Sequence, residues 1–203
     1  RLESRVTPVH DRMPDAGSHA ARIRHWLFDE TLPLWSTKGV DHVHGGFHEA
    51  LTLHAEPVAR DKRMRTMGRQ IYAFGVAHEM GWNGPALDLI DHGIRFIEKH
   101  GRSKNGGWVR TLGVDGSVSD SAEDAYDHSC ILLALAFALK AGHKDAARLG
   151  SETFAFIDRH LSADGGASFL ETSQGGNPRR SNPHMHLFEA FLAWHKVTGE
   201  AAY

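Results

Sequence analysis

Apolar residues recur along the chain with a helical period, in segments of two alternating kinds. The first kind is apolar nearly all round, which marks a buried helix. It spans about Met64 to Met80, where Ile71-Tyr-Ala-Phe-Gly-Val-Ala77 has little polar face. It returns over about Ala122 to Ala141, around Cys130-Ile-Leu-Leu-Ala-Leu-Ala-Phe-Ala-Leu139, and again from Met185 on, with Leu187, Phe188, Phe191, Leu192, Trp194 and Val197. The second kind is amphipathic. After Gly84-Pro85, Leu87, Ile90, Ile94 and Ile97 alternate with Asp88, Asp91, Arg95 and Glu98. From about Lys144 to Leu161, Leu149, Phe154, Phe156 and Ile157 stand against Asp145, Arg148, Glu152 and Asp158. A further helix is predicted from just after Ser18 to about Trp35, carrying Ala21, Ile23, Trp26, Leu27 and Leu32, with Pro33 placed to end or kink it. Residues 1–17 are polar, with Pro8, Pro14 and Gly17, and read as an arm ahead of the domain at 18–203.

The connections repeat as well. Gly39-Val-Asp-His-Val-His-Gly-Gly-Phe-His48 is turn-rich and runs into a short extended piece, and residues 54–62 read as polar connection. Residues 106–119 read as a hairpin turning at Asp115-Gly116, and residues 165–171 as another short extended piece. The pairs Gly45-Gly46, Gly106-Gly107 and Gly165-Gly166 thus recur about every sixty residues, and Gly81, Gly142 and Gly199 each close an apolar helix. A repeat that cannot bury its own apolar face must stack on its neighbours. Apolar helices as an inner layer and amphipathic ones as an outer layer describe an all-α helical toroid, an α/α barrel, whose loops gather at one end around a pocket. Such toroids commonly take about six helical pairs, and the chain supplies about half of that. The expectation is therefore half of a domain, or an apolar edge that something else covers.

The last apolar helix opens with chemistry. In Ser181-Asn-Pro-His-Met-His-Leu-Phe-Glu-Ala190, Asn182 is a good N-cap type and Pro183 suits the first helical position. Asn182, His186 and Glu189 are then four and three residues apart and share one face. Polar groups on a buried helix need partners, water or a ligand.

Composition narrows the class. Among 203 residues, 41% are hydrophobic, enough for a real core, and Lys+Arg 23 against Asp+Glu 25 gives a net charge of -2. That balance argues against a dedicated nucleic-acid binder. The 16 histidines point to acid–base or ligand chemistry without locating it. Cys130 is the single cysteine, which rules out an internal disulfide or a cysteine-based zinc cage and suits a reducing compartment such as the cytoplasm. No run approaches the roughly 20 apolar residues of a membrane span, and no signal peptide is visible.

Gly39-Val-Asp-His-Val-His-Gly-Gly-Phe-His48, Arg63-Met-Arg-Thr-Met-Gly-Arg-Gln-Ile-Tyr-Ala-Phe74, Tyr126-Asp-His128 and Ser181-to-Ala190 together resemble the N-acylglucosamine 2-epimerase superfamily, which includes mannose and sulfoquinovose isomerases. The resemblance implies an (α/α)6 barrel acting on a small sugar without a cofactor. It implies Arg69 at the sugar oxygens, with Arg63 and Arg65 as alternatives in another register. It implies Asn182 and His186 around the reacting carbons, and Tyr126, His128 and Glu189 in the same site. Family members are about twice as long, with their principal acid–base histidines in the second half. The chain is therefore expected to match the N-terminal half and to lack part of the catalytic site.

The chemistry these residues suit is proton transfer next to a carbonyl. A histidine carries the proton and an arginine or histidinium stabilises the enediolate. Arg69 would hold the oxygens, His186 would give or relay a proton, Asn182 would orient a hydroxyl, and Glu189 would fix His186 through its other ring nitrogen. Other readings stay open. Asp124, Asp127 and Glu189 could supply the carboxylates of a glycoside or uronyl hydrolase on the same toroid. The chain could be a non-catalytic binding module, or a homodimer. His128 could simply bond within the core, and Arg69 could pair with Glu79. His42, His44 and His48 match no familiar zinc spacing, so no metal is expected.

Overall fold

The structure, a computed structural model, describes residues 16–176 and 179–200. The arm at 1–17 falls outside them except for Ala16 and Gly17, which begin α1 (Ala16–His25). This helix passes through a wider π-helical stretch, Trp26–Thr31, into α2 (Leu32–Thr37). Pro33 sits at the start of α2 and neither ends nor sharply breaks the helix. Proline cannot donate to the carbonyl one turn back. The wider turn absorbs the mismatch, with the Leu32 N–H reaching Leu27 O.

The apolar segments form α3 (Met64–Glu79), α5 (Ala125–Lys140) and α7 (Ser181–Thr198), and α5 packs between the other two. The amphipathic segments form α4 (Ala86–His100), which lies on α3, and α6 (Ala146–Phe156), which lies on α5 and continues as a π-helical turn, Ile157–Leu161. The alternation of buried and surface helices is therefore the one the periodicity predicts. Gly81, Gly142 and Gly199 all take positive φ just past their helices, the left-handed cap that glycine adopts without strain. The inner helices meet closely because α3 turns glycines toward α5. A Cβ on Gly68 would stand 2.8 Å from Cys130 O, and one on Gly75 would stand 2.8 Å from Phe137 Cβ.

Short antiparallel pairings hold the connections. β2 (Thr111–Leu112) and β3 (Val118–Asp120) form the hairpin expected around Asp115-Gly116. β1 (Lys62–Arg63) adds to the other edge of β2, where the sequence reading has only a polar connection. A two-residue strand carries too little alternation to be seen in sequence. β4 (Ser162–Ala163) and β5 (Ser168–Phe169) pair across a 3-10 turn at Asp164–Gly166.

The histidine-rich loop at 39–48 is fastened by a buried ion pair. Lys62 Nζ donates to Asp41 Oδ2 at 2.7 Å and to Gly45 O at 2.7 Å. Burial pushes the Asp41 carboxyl up, but Lys62 and the Val43 and His44 N–H groups outweigh it and hold it far below the usual range. Among the described residues, no group of three or more His, Cys, Asp or Glu side chains could hold a metal ion. Among the same described residues, no helix is long and apolar enough to cross a membrane.

The loops before α3, α5 and α7 gather at one end. The Met64 N–H reaches Arg110 O next to β2, and the Ala125 N–H reaches Glu171 O in the loop before α7. Buried Glu123 accepts from Ser173 Oγ and Asn105 Nδ2, tying that loop to the segment before β2. Apolar side chains stay exposed on the outlying helices: Met185, Phe188 and Leu192 on α7, and Ile23 and Trp26 near α1.

Candidate active site

The polar groups at the loop end are placed by the first turns of the inner helices. Arg63 stays extended and α3 starts at Met64, so Arg65 and Arg69 lie one turn apart on the same face. Asp124 caps α5 by accepting the Tyr126 and Asp127 N–H groups at 2.9 and 3.2 Å, which fixes those two side chains toward α3. The Arg65 guanidinium then reaches Asp127, Nε to Oδ1 at 2.8 Å and Nη2 to Oδ2 at 3.3 Å. One turn deeper, Arg69 donates to the Tyr126 hydroxyl. The Tyr126 ring lies 5.0 Å from the His186 ring, centroid to centroid. His186 Nδ1 is 2.9 Å from Glu189 Oε2.

These helices enclose a concavity of about 160 Å³ lined by Arg69, Tyr72, Ser129, Cys130, Leu133, His186 and Glu189. Glu189 accepts from the His186 Nδ1–H, which leaves Nε2 as the nitrogen able to exchange a proton. Arg69 has no carboxylate within ion-pair distance among the described residues, whereas Glu79 pairs with Lys140 at 2.5 Å. Burial pushes the Cys130 thiol up to about 11, so it is a lining group and not a nucleophile. Burial, then the charges of Glu189 and Glu79, raises the Tyr72 hydroxyl as well.

Of the residues singled out in sequence, Arg69, Tyr126, His186 and Glu189 come together. Asn182 and His128 do not join them. α7 begins at Ser181 with Arg180 as its cap, because the Arg180 N–H is taken by Glu171 and Arg180 itself stays extended. Asn182 is thus a helical residue, exposed, and not the N-cap; Pro183 follows inside the first turn. Helix ends commonly shift by a residue or two.

His128 is fully buried and stacks on Phe156 with ring centroids 4.6 Å apart. Its Nδ1–H donates to Asp124 O at 2.8 Å and its Nε2 accepts the Trp108 N–H at 3.0 Å. Both nitrogens are used in one neutral tautomer, and burial pushes its pKa down to about 4. Sequence reasoning passed over Tyr72, Ser129 and Leu133. Tyr72 and Ser129 each lie three residues from a flagged position on the same helix, Arg69 and Tyr126, which is the signal that finds them, and Leu133 lies one turn beyond Ser129.

A pH prediction follows for His128. Its folded pKa lies below the ordinary 6.5, so the unfolded chain binds the proton first. Its contribution is complete above pH 6.5 and is lost as pH falls from 6.5 to 4. The stability difference between the parent protein and His128→Gln should shrink by about 3 kcal/mol between pH 7 and pH 4 in urea titrations. The paired comparison is needed because Asp127 runs the opposite way. Burial pushes its carboxyl up against the pull of Arg65. A pH-independent difference would rule out the neutral core role.

The carboxylates weighed for hydrolysis are all engaged: Asp124 in its cap and with Arg110 at 3.2 Å, Asp127 with Arg65, and Glu189 with His186. An arc of apolar inner helices backed by amphipathic outer ones, with a polar pocket at the loop end, defines an (α/α)-barrel protein. The arc amounts to about half of an (α/α)6 barrel. A cellobiose 2-epimerase from Spirochaeta thermophila DSM 6192 superposes with a TM-score of 0.85 at 22% identity, over 96% of this chain and 52% of that one. In sequence, a mannose-6-phosphate isomerase of Rhizobium meliloti (strain 1021) is 33% identical over 188 residues, 91% of this chain and 48% of that protein. A D-mannose isomerase of Thermobifida fusca is 34% identical over 138 residues, 65% of this chain and 34% of that protein. The sequence model of the N-acylglucosamine 2-epimerase (GlcNAc 2-epimerase) family matches residues 45–203. The chain belongs to this family of carbohydrate epimerases and isomerases. It spans about half the length of the rhizobial relative.

Proposed function

We propose that the chain provides the Arg69–His186 side of the active site of a sugar isomerase or 2-epimerase that works by histidine-mediated proton transfer. The observation that carries this reading is the His186–Glu189 pair, which lines the same concavity as Arg69. The sugar ring opens first. Removal of the C2 proton lets the C–H electron pair form a C1–C2 double bond while the carbonyl oxygen takes up negative charge. Arg69 opposes that charge. Returning a proton to C1 while the C2 hydroxyl loses its own gives the ketose; returning it to the other face of C2 gives the epimer. His186 gives or relays one of these protons through Nε2, and Glu189 keeps its ring oriented. The engaged state of Asp124, Asp127 and Glu189 favours this chemistry over hydrolysis, where one carboxylic acid must be free to protonate a leaving oxygen.

The test is to incubate the protein, as encoded by its gene, with mannose, glucose, N-acetylmannosamine and mannose 6-phosphate in deuterated water. Products are separated by chromatography and deuterium is located by mass spectrometry. A ketose or C2 epimer carrying solvent deuterium at C1 or C2 is the expected result. Turnover without deuterium uptake would remove the proton-transfer mechanism, and no turnover of any of these sugars would count against the reading.

A further inference from the structure

We infer that Asp127 is a positioning residue for the sugar site: by clamping Arg65 it sets the place of Tyr126 and Arg69 at the pocket mouth. The inference rests on the proposed sugar chemistry for its kinetic consequence, though not for its geometry.

Asp127 is fully buried and does not line the concavity. Its carboxylate is bonded to one residue of α3: its two oxygens accept from Arg65 Nε, Arg65 Nη2 and the Arg65 backbone N–H at 2.8, 3.3 and 3.2 Å. The next residue along α3's face, Arg69, is held by the neighbour of Asp127 on α5, Tyr126. Adjacent residues of one helix thus hold arginines one turn apart on the other. Arg65 and Arg69 each sit 5.3 Å from the centroid of the same Tyr126 ring. Two guanidiniums set against one ring repel each other unless one is neutralised, and Asp127 is the carboxylate paired with Arg65. At the same level of the interface Gly68 lies against Cys130 O, so α3 and α5 have little freedom to compensate by sliding.

A buried ion pair is weak support for stability, since desolvation offsets most of the attraction. Its use here is geometric. Without the clamp, Arg65 becomes an uncompensated cation beside Arg69, and both are displaced from Tyr126. Arg69 then loses the orientation in which it meets sugar oxygens.

The experiment compares Asp127→Asn, Arg65→Gln and the double variant, each in the gene-encoded protein, on the sugar turned over by the parent. Each single variant should raise KM by about tenfold while changing kcat per folded molecule by no more than about threefold, and the double variant should be no worse than either single one. Unchanged KM in the folded single variants, or effects that multiply in the double variant, would overturn the inference. If Asp127→Asn does not fold, Arg65→Gln and Arg65→Lys decide: glutamine should raise KM, and lysine should recover part of the loss. A second readout does not depend on turnover. Cys130, the single cysteine, lines the pocket; its buried thiol is held un-ionised in the parent, so alkylation by a small maleimide is slow there and quickens when the pocket wall opens to water. It should be faster in folded Arg65→Gln than in the parent. Faster alkylation in Arg65→Gln, together with a parent protein that converts no sugar, would sink the functional reading and leave the clamp standing. Equal alkylation rates would sink the clamp itself.

Discussion

Replacing His186 by alanine should lower turnover by about 10²–10⁴-fold, the usual contribution of a general acid or base. The fold should hardly notice. The His186 side chain is 26% exposed and its partner Glu189 51%, and an ion pair or hydrogen bond so exposed is worth about 1 kcal/mol or less. His195→Ala on the same helix is the control, because His195 is exposed, bonds only to Glu200 O, and lies outside the pocket. The measurement is kcat per folded molecule, with urea midpoints for both variants. If both lose activity only in proportion to lost folded protein, His186 is structural. The site assignment then fails while the family assignment stands.

Trp194→Ala should cost about 3–5 kcal/mol, the range for removing a large buried aromatic. Trp194 is 1% exposed and joins α7 to the core. It reaches across to α6, where Gly150 makes room for it: a Cβ on Gly150 would stand 1.8 Å from Trp194 Cη2. Gly150→Ala therefore overpacks the same contact and should cost about 1–3 kcal/mol, although alanine is the better helix former. One substitution removes volume and the other adds it, so the two should partly cancel. The double variant should be more stable than the sum of the single losses implies, by about 1 kcal/mol or more. Denaturant unfolding of the four proteins checks this. Simple additivity would mean that the indole and the glycine are not in contact.

These two predictions sit on different links of the argument, and they were not equally visible in the sequence. The helix carrying both His186 and Trp194 was legible. Its apolar run, its glycine stop at Gly199 and the three-residue step from His186 to Glu189 are all local features, and the His186–Glu189 bond follows from that step. The need for Gly150 opposite Trp194 was not, because a glycine in an amphipathic helix carries no mark of what approaches it.

Local periodicity determined a good deal about this protein. Chain geometry ties hydrophobic spacing to helix faces and glycine to left-handed caps. The alternation of inner α3, α5 and α7 with outer α4 and α6 could therefore be read directly, as could the gathering of loops at one end, although α7 keeps Met185, Phe188 and Leu192 exposed. Only the tertiary structure decided which distant groups meet. Arg69 finds Tyr126 across 57 positions, and Arg65 finds Asp127 across 62. No spacing rule reaches that far, and the pairing depends on how closely Gly68 lets two helices approach. The same holds for His128, which motif and position put near the sugar. The direction of its side chain on α5, toward Trp108 and Phe156, places it in the core instead. Asn182 missed its expected cap because Glu171, nine residues back in the same loop, holds the Arg180 N–H. For Arg65, Arg69 and the His128 Nε2 the partner is remote in sequence, whereas for Arg180 it is a loop residue nine positions away. A buried donor or acceptor must be satisfied wherever the fold happens to bring a partner.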